Sequence, residues 1–162
     1  MVLFDSIITV VPAVSLSIAL IYYAMNLRNH NKTRQAALIM NLYETYRSPE
    51  FRLKQTTIQN QEYKDFNDFW TKYGSETNPE NWAVWLSVAG FFNGVGVLLK
   101  KGLIDFALVE ELLSNITNRS WTKMGPIIVE WRKEVAPDIH RKYELMHGFE
   151  YLYDLMRSRG TI

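Results

Sequence analysis

The first hydrophobic feature of the chain is a segment, residues 6–27, that contains no formally charged side chain. A helix rises 1.5 Å per residue, so this segment would be about 33 Å long, enough to cross a hydrocarbon core of about 30 Å. Pro12 lies near its outer end, where a lost backbone hydrogen bond is readily compensated. The pattern therefore predicts a transmembrane helix over residues 6–27.

Polar residues at the two ends of this segment predict its orientation. Two aromatic and three cationic residues mark the inner end: Tyr22, Tyr23, Arg28, Lys32 and Arg34. Tyrosine favours the headgroup region, and lysine and arginine accumulate in cytoplasmic segments, whereas Asp5 is the only charged side chain before the span. We therefore assign those five residues to the membrane interface. We expect a single-pass protein of the cytoplasmic membrane, with its N-terminus outside and its C-terminal domain in the cytoplasm.

Two other interpretations of this segment stay open at the level of sequence. A cleaved signal peptide would carry its basic residues before the apolar run, whereas here Arg28 and its neighbours follow it. A core helix of a soluble protein can also be apolar on all sides. The length of the run and its asymmetric charges favour the membrane span over both.

Beyond the basic residues, apolar side chains recur every three or four positions, as expected for helices with one buried face. Two such stripes are formed by Leu38, Leu42 and Tyr46 and by Phe66, Phe69, Trp70 and Tyr73. No segment shows sustained alternation of period two, so strands are not predicted. The sequence predicts an all-α fold, in which the anchor, residues 1–27, continues into a cytoplasmic domain, residues 28–162, built as a bundle of about six helices.

Local signals predict where these helices begin and end. Ser48 and Asn78 are good helix caps, and each precedes a proline, which suits the first helical position. The other predicted boundaries are ends at Gly74, Gly102 and Gly160, a start capped by Asp105, and a restart or kink at Pro126.

A second long apolar run, residues 83–99, also lacks charge. It suits either a second membrane span or a central core helix, and we favour the core helix because Gly90, Gly94 and Gly96 dilute the run. Lys100 and Lys101 would also lie outside the cell if the run crossed after an N-out first span. Gly90 and Gly94 have the GxxxG spacing. We expect them to allow tight packing inside the bundle rather than to form a dimerisation seam.

Composition excludes several classes of function. The chain has 18 Lys and Arg residues and 17 Asp and Glu residues, which gives a net charge of +1. This balance does not provide the excess of positive charge that is typical of nucleic-acid-binding proteins. The absence of cysteine excludes disulfides, cysteine-ligated zinc, iron–sulfur clusters and a cysteine nucleophile. The many aromatic side chains, 14% of the chain, are expected mainly in the core rather than in a ligand cage.

Candidate chemistry in the sequence is sparse. His140, Glu144 and His147 have the spacing i, i+4 and i+7, which on one helix would put potential metal ligands on one face. They would span about 10 Å, too far for one ion, so a solvated polar face is the favoured interpretation. The glycines of residues 90–96 match no nucleotide-binding loop. We therefore assign no catalytic, cofactor-binding or metal-binding residue and expect no enzymatic activity and no cofactor.

The chain as a whole resembles an uncharacterised family of small membrane-anchored helical proteins of archaea and bacteria, described only as a domain of unknown function. The residues that carry the resemblance are Thr33–Tyr43, Ser48–Phe51, Asp68–Trp70, Phe91–Asp105 and Tyr143–Tyr153. The most specific stretch among them is Phe91–Asp105, and the resemblance extends from about Ile7 to Leu155. It implies a single-pass helical architecture and supplies no catalytic residues.

An anchor joined to a compact domain without recognisable chemistry is typical of an accessory protein. We expect a non-enzymatic accessory or regulatory subunit, whose cytoplasmic domain binds a larger membrane protein complex. The alternative is a small-ligand or stress sensor that acts as a membrane-tethered homo-oligomer. The expected partners are the lipid bilayer and another membrane protein, without nucleic acid, and the partner-binding residues are unknown from sequence.

Overall fold

The computed structural model describes residues 2–135 and 145–162, with side chains from Leu16 onward except that of Val135. These residues form six helices and no strand, which confirms the all-α prediction. The helices are α1 (Val2–Arg47), α2 (Pro49–Gln59), α3 (Phe66–Tyr73), α4 (Pro79–Lys100), α5 (Phe106–Val135) and α6 (His147–Ser158). The chain divides into two compact units, Met1–Ala37 and Leu38–Ile162. The second unit is called the helical domain below.

Side-chain caps begin the helices where the sequence predicts. The Ser48 hydroxyl accepts a hydrogen bond from the Phe51 N–H at 3.2 Å, and α2 starts at Pro49. The Asn78 amide oxygen accepts from the Asn81 N–H at 3.1 Å. Proline suits the first helical position because the N–H that it lacks would have no partner in the helix.

Glycine ends two helices in the left-handed conformation. Gly102 (φ 67°) follows α4, and the next N–H, of Leu103, donates to the Leu98 carbonyl at 2.9 Å. Gly160 (φ 74°) follows α6 in the same way, with the Thr161 N–H donating to the Met156 carbonyl at 3.0 Å. These bonds satisfy carbonyls at the helix ends and confirm both predicted boundaries.

Of the restart or kink predicted at Pro126, the restart is wrong. A single helix, α5, runs from Phe106 through Pro126 to Val135. Pro126 lies on the exposed side, where water can satisfy the carbonyl that loses its partner, while Ile127 and Ile128 beside it are buried in the core. Burial of these neighbours on the opposite side holds the helix together through the proline.

The core of the helical domain is built around α4. Trp82, Trp85, Phe92 and Val95 lie on its buried face, and α6 is its main neighbour. The Trp82 and Trp85 rings stack with centroids 5.1 Å apart, and Trp131 of α5 meets Trp82 edge-on at 5.0 Å. The predicted core helix is therefore observed within residues 79–100, and these aromatic rings serve packing.

The glycines of α4 do not pack as predicted. An added Cβ at Gly90 or Gly94 would meet no described atom within 4 Å, so the expected tight packing at this pair is wrong. The close approach occurs instead at Gly96, where a Cβ would lie 1.7 Å from the Gly148 carbonyl oxygen of α6. The Asn93 side-chain oxygen also accepts from the Gly148 N–H at 2.8 Å, which fixes the crossing of α4 and α6.

Candidate functional site

The described part of the first unit exposes apolar side chains on every side of its helix. Eight of them are between 48% and 70% exposed: Leu16, Ile18, Leu20, Ile21, Tyr22, Tyr23, Met25 and Leu27. At 100° per residue they point in all directions around the axis, unlike the single stripe of a helix that packs on a protein core.

The five residues assigned to the membrane interface all lie on this unit. Tyr22 and Tyr23 lie within the exposed apolar stretch, and Arg28, Lys32 and Arg34 follow within about 18 Å along the helix, all of them exposed. The first part of the predicted span, up to residue 15, lies outside the residues whose side chains are described. The exposure of the apolar, aromatic and basic side chains along α1 is therefore known from Leu16 onward.

One helix in the described part of the chain is long and apolar enough to cross a membrane, and it is α4 rather than the predicted N-terminal segment. Of its most apolar 18-residue window, 44% is buried inside the structure. Trp85, Val88 and Phe92 are fully buried there, so one face of this helix is committed to the protein core. By composition and length, α4 gives weak support for an association with membranes.

A cleft of about 860 Å³ opens between the start of α3 and α5. Its apolar lining includes Tyr63, Phe66, Pro126, Ile127 and Val129. Charged side chains also line it: Lys64, Asp65, Lys123, Glu130 and Glu134. The sequence does not predict this cleft, because the segment that joins α2 to α3 meets α5 only in the folded domain.

Tyr63 and Lys123 fix one wall of this cleft. The Tyr63 hydroxyl donates to the Lys123 carbonyl at 2.6 Å, and the Lys123 ammonium lies 4.6 Å from the Tyr63 ring centroid and donates to the Gln61 carbonyl. Burial, with a smaller contribution from Tyr73, raises the pKa of Tyr63 to about 12, so the phenol stays neutral at physiological pH. Both groups act here as hydrogen-bond donors that join α5 to the segment between α2 and α3.

A second polar cluster joins the end of α5 to the start of α6. The Arg132 guanidinium donates from Nε to the Leu145 carbonyl at 2.7 Å and from Nη1 to Glu150 Oε2 at 2.6 Å. Nη2 is buried without a hydrogen-bond partner among the described residues. The His147 ring lies 3.4 Å from the same Glu150 oxygen. The sequence analysis did not predict the pairing of Arg132 with Glu150. A sequence feature that could have indicated it is the position of Arg132 among apolar residues of α5.

The proposed alignment of His140, Glu144 and His147 on one helix is wrong for His147. That residue is the first of α6, and Met146 before it has a left-handed backbone (φ 56°), which interrupts any helix arriving from residue 140. His140 and Glu144 lie outside the described residues. Among the residues that are described, no group of three His, Cys, Asp or Glu side chains is placed to hold a metal ion.

The environment of His147 predicts a specific pH dependence. Burial, together with the nearby Arg132 and Lys100 cations, lowers the pKa of His147 below its ordinary value, and Glu150 only partly opposes this. The unfolded chain therefore binds a proton at His147 more readily than the folded chain, so stability should fall as the pH drops below about 6.5. Urea unfolding at pH 7 and pH 5 measures this, and His147→Gln should show a smaller loss than the unmodified protein. An equal or larger loss in the variant would show that other groups govern the pH dependence.

Residues 10–154 match the family described as a domain of unknown function, DUF4760. Neither the curated proteins nor the solved structures contain a significant match to the chain. Because the family match covers most of the chain, the resemblance seen in the sequence to an uncharacterised family is confirmed. The chain belongs to the DUF4760 family of unknown function.

Proposed function

We propose that the protein is a non-enzymatic, membrane-anchored accessory or regulatory subunit. Residues 6–27 span the cytoplasmic membrane with the N-terminus outside. Residues 28–162, which include the helical domain, lie in the cytoplasm and bind a larger membrane protein complex. The observation that carries this proposal is the apolar surface of the first unit, exposed on all sides from Leu16 to Leu27.

Energetics support the anchor. Removing a large apolar side chain from water contributes about 1.5–3 kcal/mol, so complete burial of the eight exposed side chains would contribute at most roughly 12–24 kcal/mol. That sum is comparable with the whole stability of a typical domain, about 5–15 kcal/mol. The exposed cations Arg28, Lys32 and Arg34 come directly after the apolar stretch, as the positive-inside rule requires for a cytoplasmic domain.

Two cations of the helical domain have structural roles, which supports a function in binding rather than catalysis. Arg132 is tied to Glu150 and Leu145, and Lys123 is tied to Gln61 and Tyr63. Each of these groups joins one segment of the helical domain to another. These two cations are thus used to hold segments of the helical domain together.

The anchor predicts a strong effect of charge at its centre. Leu16→Arg places a guanidinium near the middle of residues 6–27, which should cost about 2.5–3.5 kcal/mol of insertion free energy. We expect the variant to move partly from the membrane pellet to the soluble fraction after cell lysis, as measured by immunoblotting. Leu53→Arg is the matched control, because Leu53 is exposed on α2 of the helical domain, and it should leave the protein in the membrane. Equal partitioning of the two variants would argue against the anchor.

The accessory role is tested by purification of the tagged protein from its own membranes in mild detergent. Mass spectrometry then measures which proteins co-migrate at fixed stoichiometry with the full chain. The proposal predicts a defined membrane enzyme or transporter in the complex. Recovery of the protein alone, at stoichiometric purity, would contradict it.

The cleft beside α5 favours one alternative, a small-ligand or stress sensor that works as a membrane-tethered homo-oligomer. Its volume of about 860 Å³ and its mixed lining of Phe66, Ile127 and Glu130 suit a small amphipathic ligand. A thermal-shift screen of a small-molecule library should then find a ligand that raises the melting temperature of the protein. Val129→Glu, which adds charge to the cleft wall, should remove that shift. A screen without any shift would count against the sensor.

A further inference from the structure

Two adjoining cavities lie between α2 and α5 of the helical domain, and they share no lining residue with the cleft beside Tyr63. One has a volume of about 140 Å³ and the other about 260 Å³, and Arg52, Ile116 and Arg119 line both of them. Each is smaller than the roughly 300–1,000 Å³ of a typical site for a drug-sized ligand. A space of this size suits a compact chemical group.

The charge around these cavities is positive. Arg52 comes from α2 and Arg119 from α5, and among the described residues no carboxylate lines either cavity. Neither guanidinium forms an ion pair with a described carboxylate. Glu50, the acid of α2, is paired instead with Lys54 at 2.6 Å. The two arginines therefore bring two positive charges to one groove without a described counter-charge.

Hydrogen bonds between the two helices hold the walls of the groove. The Gln55 Nε2 lies 3.2 Å from the Ser120 Oγ, and both side chains are buried. One turn further along α2, the Gln59 amide donates to the Arg119 carbonyl at 3.4 Å. These bonds fix α2 against α5 beside the positions from which the two arginines extend.

A buried amide adds a polar group to the smaller cavity. Gln55 is only 5% exposed and lines this cavity, and only its Nε2 has a hydrogen-bond partner among the described residues. Because the Ser120 hydroxyl both donates and accepts, the Gln55 amide can turn and offer its N–H groups to the cavity. The exposed Asn60 and Asn115 supply further amides to the lining. The groove thus combines two cations with amide donors, which is the chemistry that binds an anion.

We propose that Arg52 and Arg119 bind a phosphate monoester group in the groove between α2 and α5. The planar guanidinium forms paired hydrogen bonds with phosphate oxygens. A phosphate monoester carries a charge of about −1.5 to −2 at pH 7, which balances two arginines, whereas a carboxylate would balance only one. The group belongs either to a soluble phosphate ester or to a lipid headgroup. This inference goes beyond the proposed function and depends neither on the anchor nor on a protein partner.

Isothermal titration calorimetry of the full-length protein in mild detergent, with inorganic phosphate as the probe, tests this site. We expect one phosphate to bind per chain. Arg119→Gln should weaken binding about tenfold or more, because charge-assisted hydrogen bonds are lost. Arg157→Gln is the matched control and should keep the affinity, since Arg157 is exposed on α6 and lines neither cavity. Equal affinities of the two variants, or no phosphate binding to the unmodified protein, would overturn the proposal.

A second variant and a stability measurement separate a binding site from a general effect on the fold. The Arg119 guanidinium has no described hydrogen bond, so Arg119→Gln should leave the melting temperature unchanged. Arg52 Nη1 donates to the Tyr46 hydroxyl at 2.7 Å, so the conservative variant Arg52→Lys is used at that position. It keeps the charge and loses the planar fork, and it should bind phosphate more weakly than the unmodified protein. Full affinity in Arg52→Lys would overturn the proposed geometry.

Nanodiscs distinguish the two sources of the phosphate group. The full-length protein is placed in phosphatidylcholine discs that contain either phosphatidic acid, a monoester, or phosphatidylglycerol, a diester that controls for surface charge. Inorganic phosphate is then titrated into both. Equal affinities in the two discs would identify a soluble phosphate ester as the ligand. Weaker phosphate binding in the phosphatidic acid discs, caused by competition, would identify a lipid headgroup.

Discussion

Gly96→Ala is expected to lower the unfolding free energy of the helical domain by about 3 kcal/mol, near the upper end of the range for overpacking a core. The new Cβ would lie 1.7 Å from the carbonyl oxygen of Gly148 and 2.4 Å from its carbonyl carbon. These are backbone atoms, so no side-chain rotation relieves the clash. Helix α6 must move away from α4 and lose contacts with Phe92, whose ring stacks on Phe149 at 4.7 Å.

A second glycine of the same helix supplies the control. Gly94→Ala adds the same methyl group where it meets no described atom within 4 Å, so only helix propensity changes. We expect the protein to gain about 0.5–1 kcal/mol from this substitution. Urea unfolding followed by circular dichroism compares the two variants. The account of the α4–α6 crossing would be wrong if Gly96→Ala were as stable as Gly94→Ala.

Glu150→Ala is expected to cost about 3 kcal/mol. The Arg132 side chain is 10% exposed and its Nη1 lies 2.6 Å from Glu150 Oε2, so removal of the carboxylate leaves a buried guanidinium without its counter-charge. Such uncompensated charges typically cost 3–5 kcal/mol, and the partial exposure of Glu150 (30%) places this pair at the lower end. The buried Nη2, already without a described hydrogen-bond partner, offers no compensation.

Two comparisons separate this effect from a general loss of side-chain contacts. Glu130→Ala breaks the exposed pair between Glu130 and Lys133 and should cost less than about 0.5 kcal/mol. The double variant Arg132→Met/Glu150→Leu removes both charges and should recover most of the lost stability. Thermal unfolding of all three proteins provides the measurement. Equal costs for Glu150→Ala and Glu130→Ala would show that the buried pair is not an important support of α6.

Helix boundaries were the part of the fold that the sequence predicted best. Ser48, Asn78 and Asp105 cap helices through hydrogen bonds to N–H groups two or three residues later. Gly102 and Gly160 end helices through their own backbone conformation. Each signal acts within a single turn, so it is complete in a short stretch of sequence and does not depend on the rest of the fold.

Features that depend on distant residues were predicted poorly. Gly94 and Gly96 look alike in the sequence, but only Gly96 faces another helix, because Gly148 of α6 arrives there. The pairing of Arg132 with Glu150 likewise depends on how α6 returns against α5. The restart expected at Pro126 failed because tertiary packing outweighs a single missing hydrogen bond. The cleft beside α5 was missed for the same reason, since its walls come from separate segments.

The orientation of the chain across the membrane tests the central claim most directly. Single cysteines at Val2 and at Leu53 can be labelled in intact cells with a membrane-impermeant maleimide, because the natural chain has no cysteine. The account predicts that Val2→Cys reacts in intact cells and that Leu53→Cys reacts only after the membrane is permeabilised. Labelling of both residues in intact cells, or protection of both until permeabilisation, would contradict a span over residues 6–27.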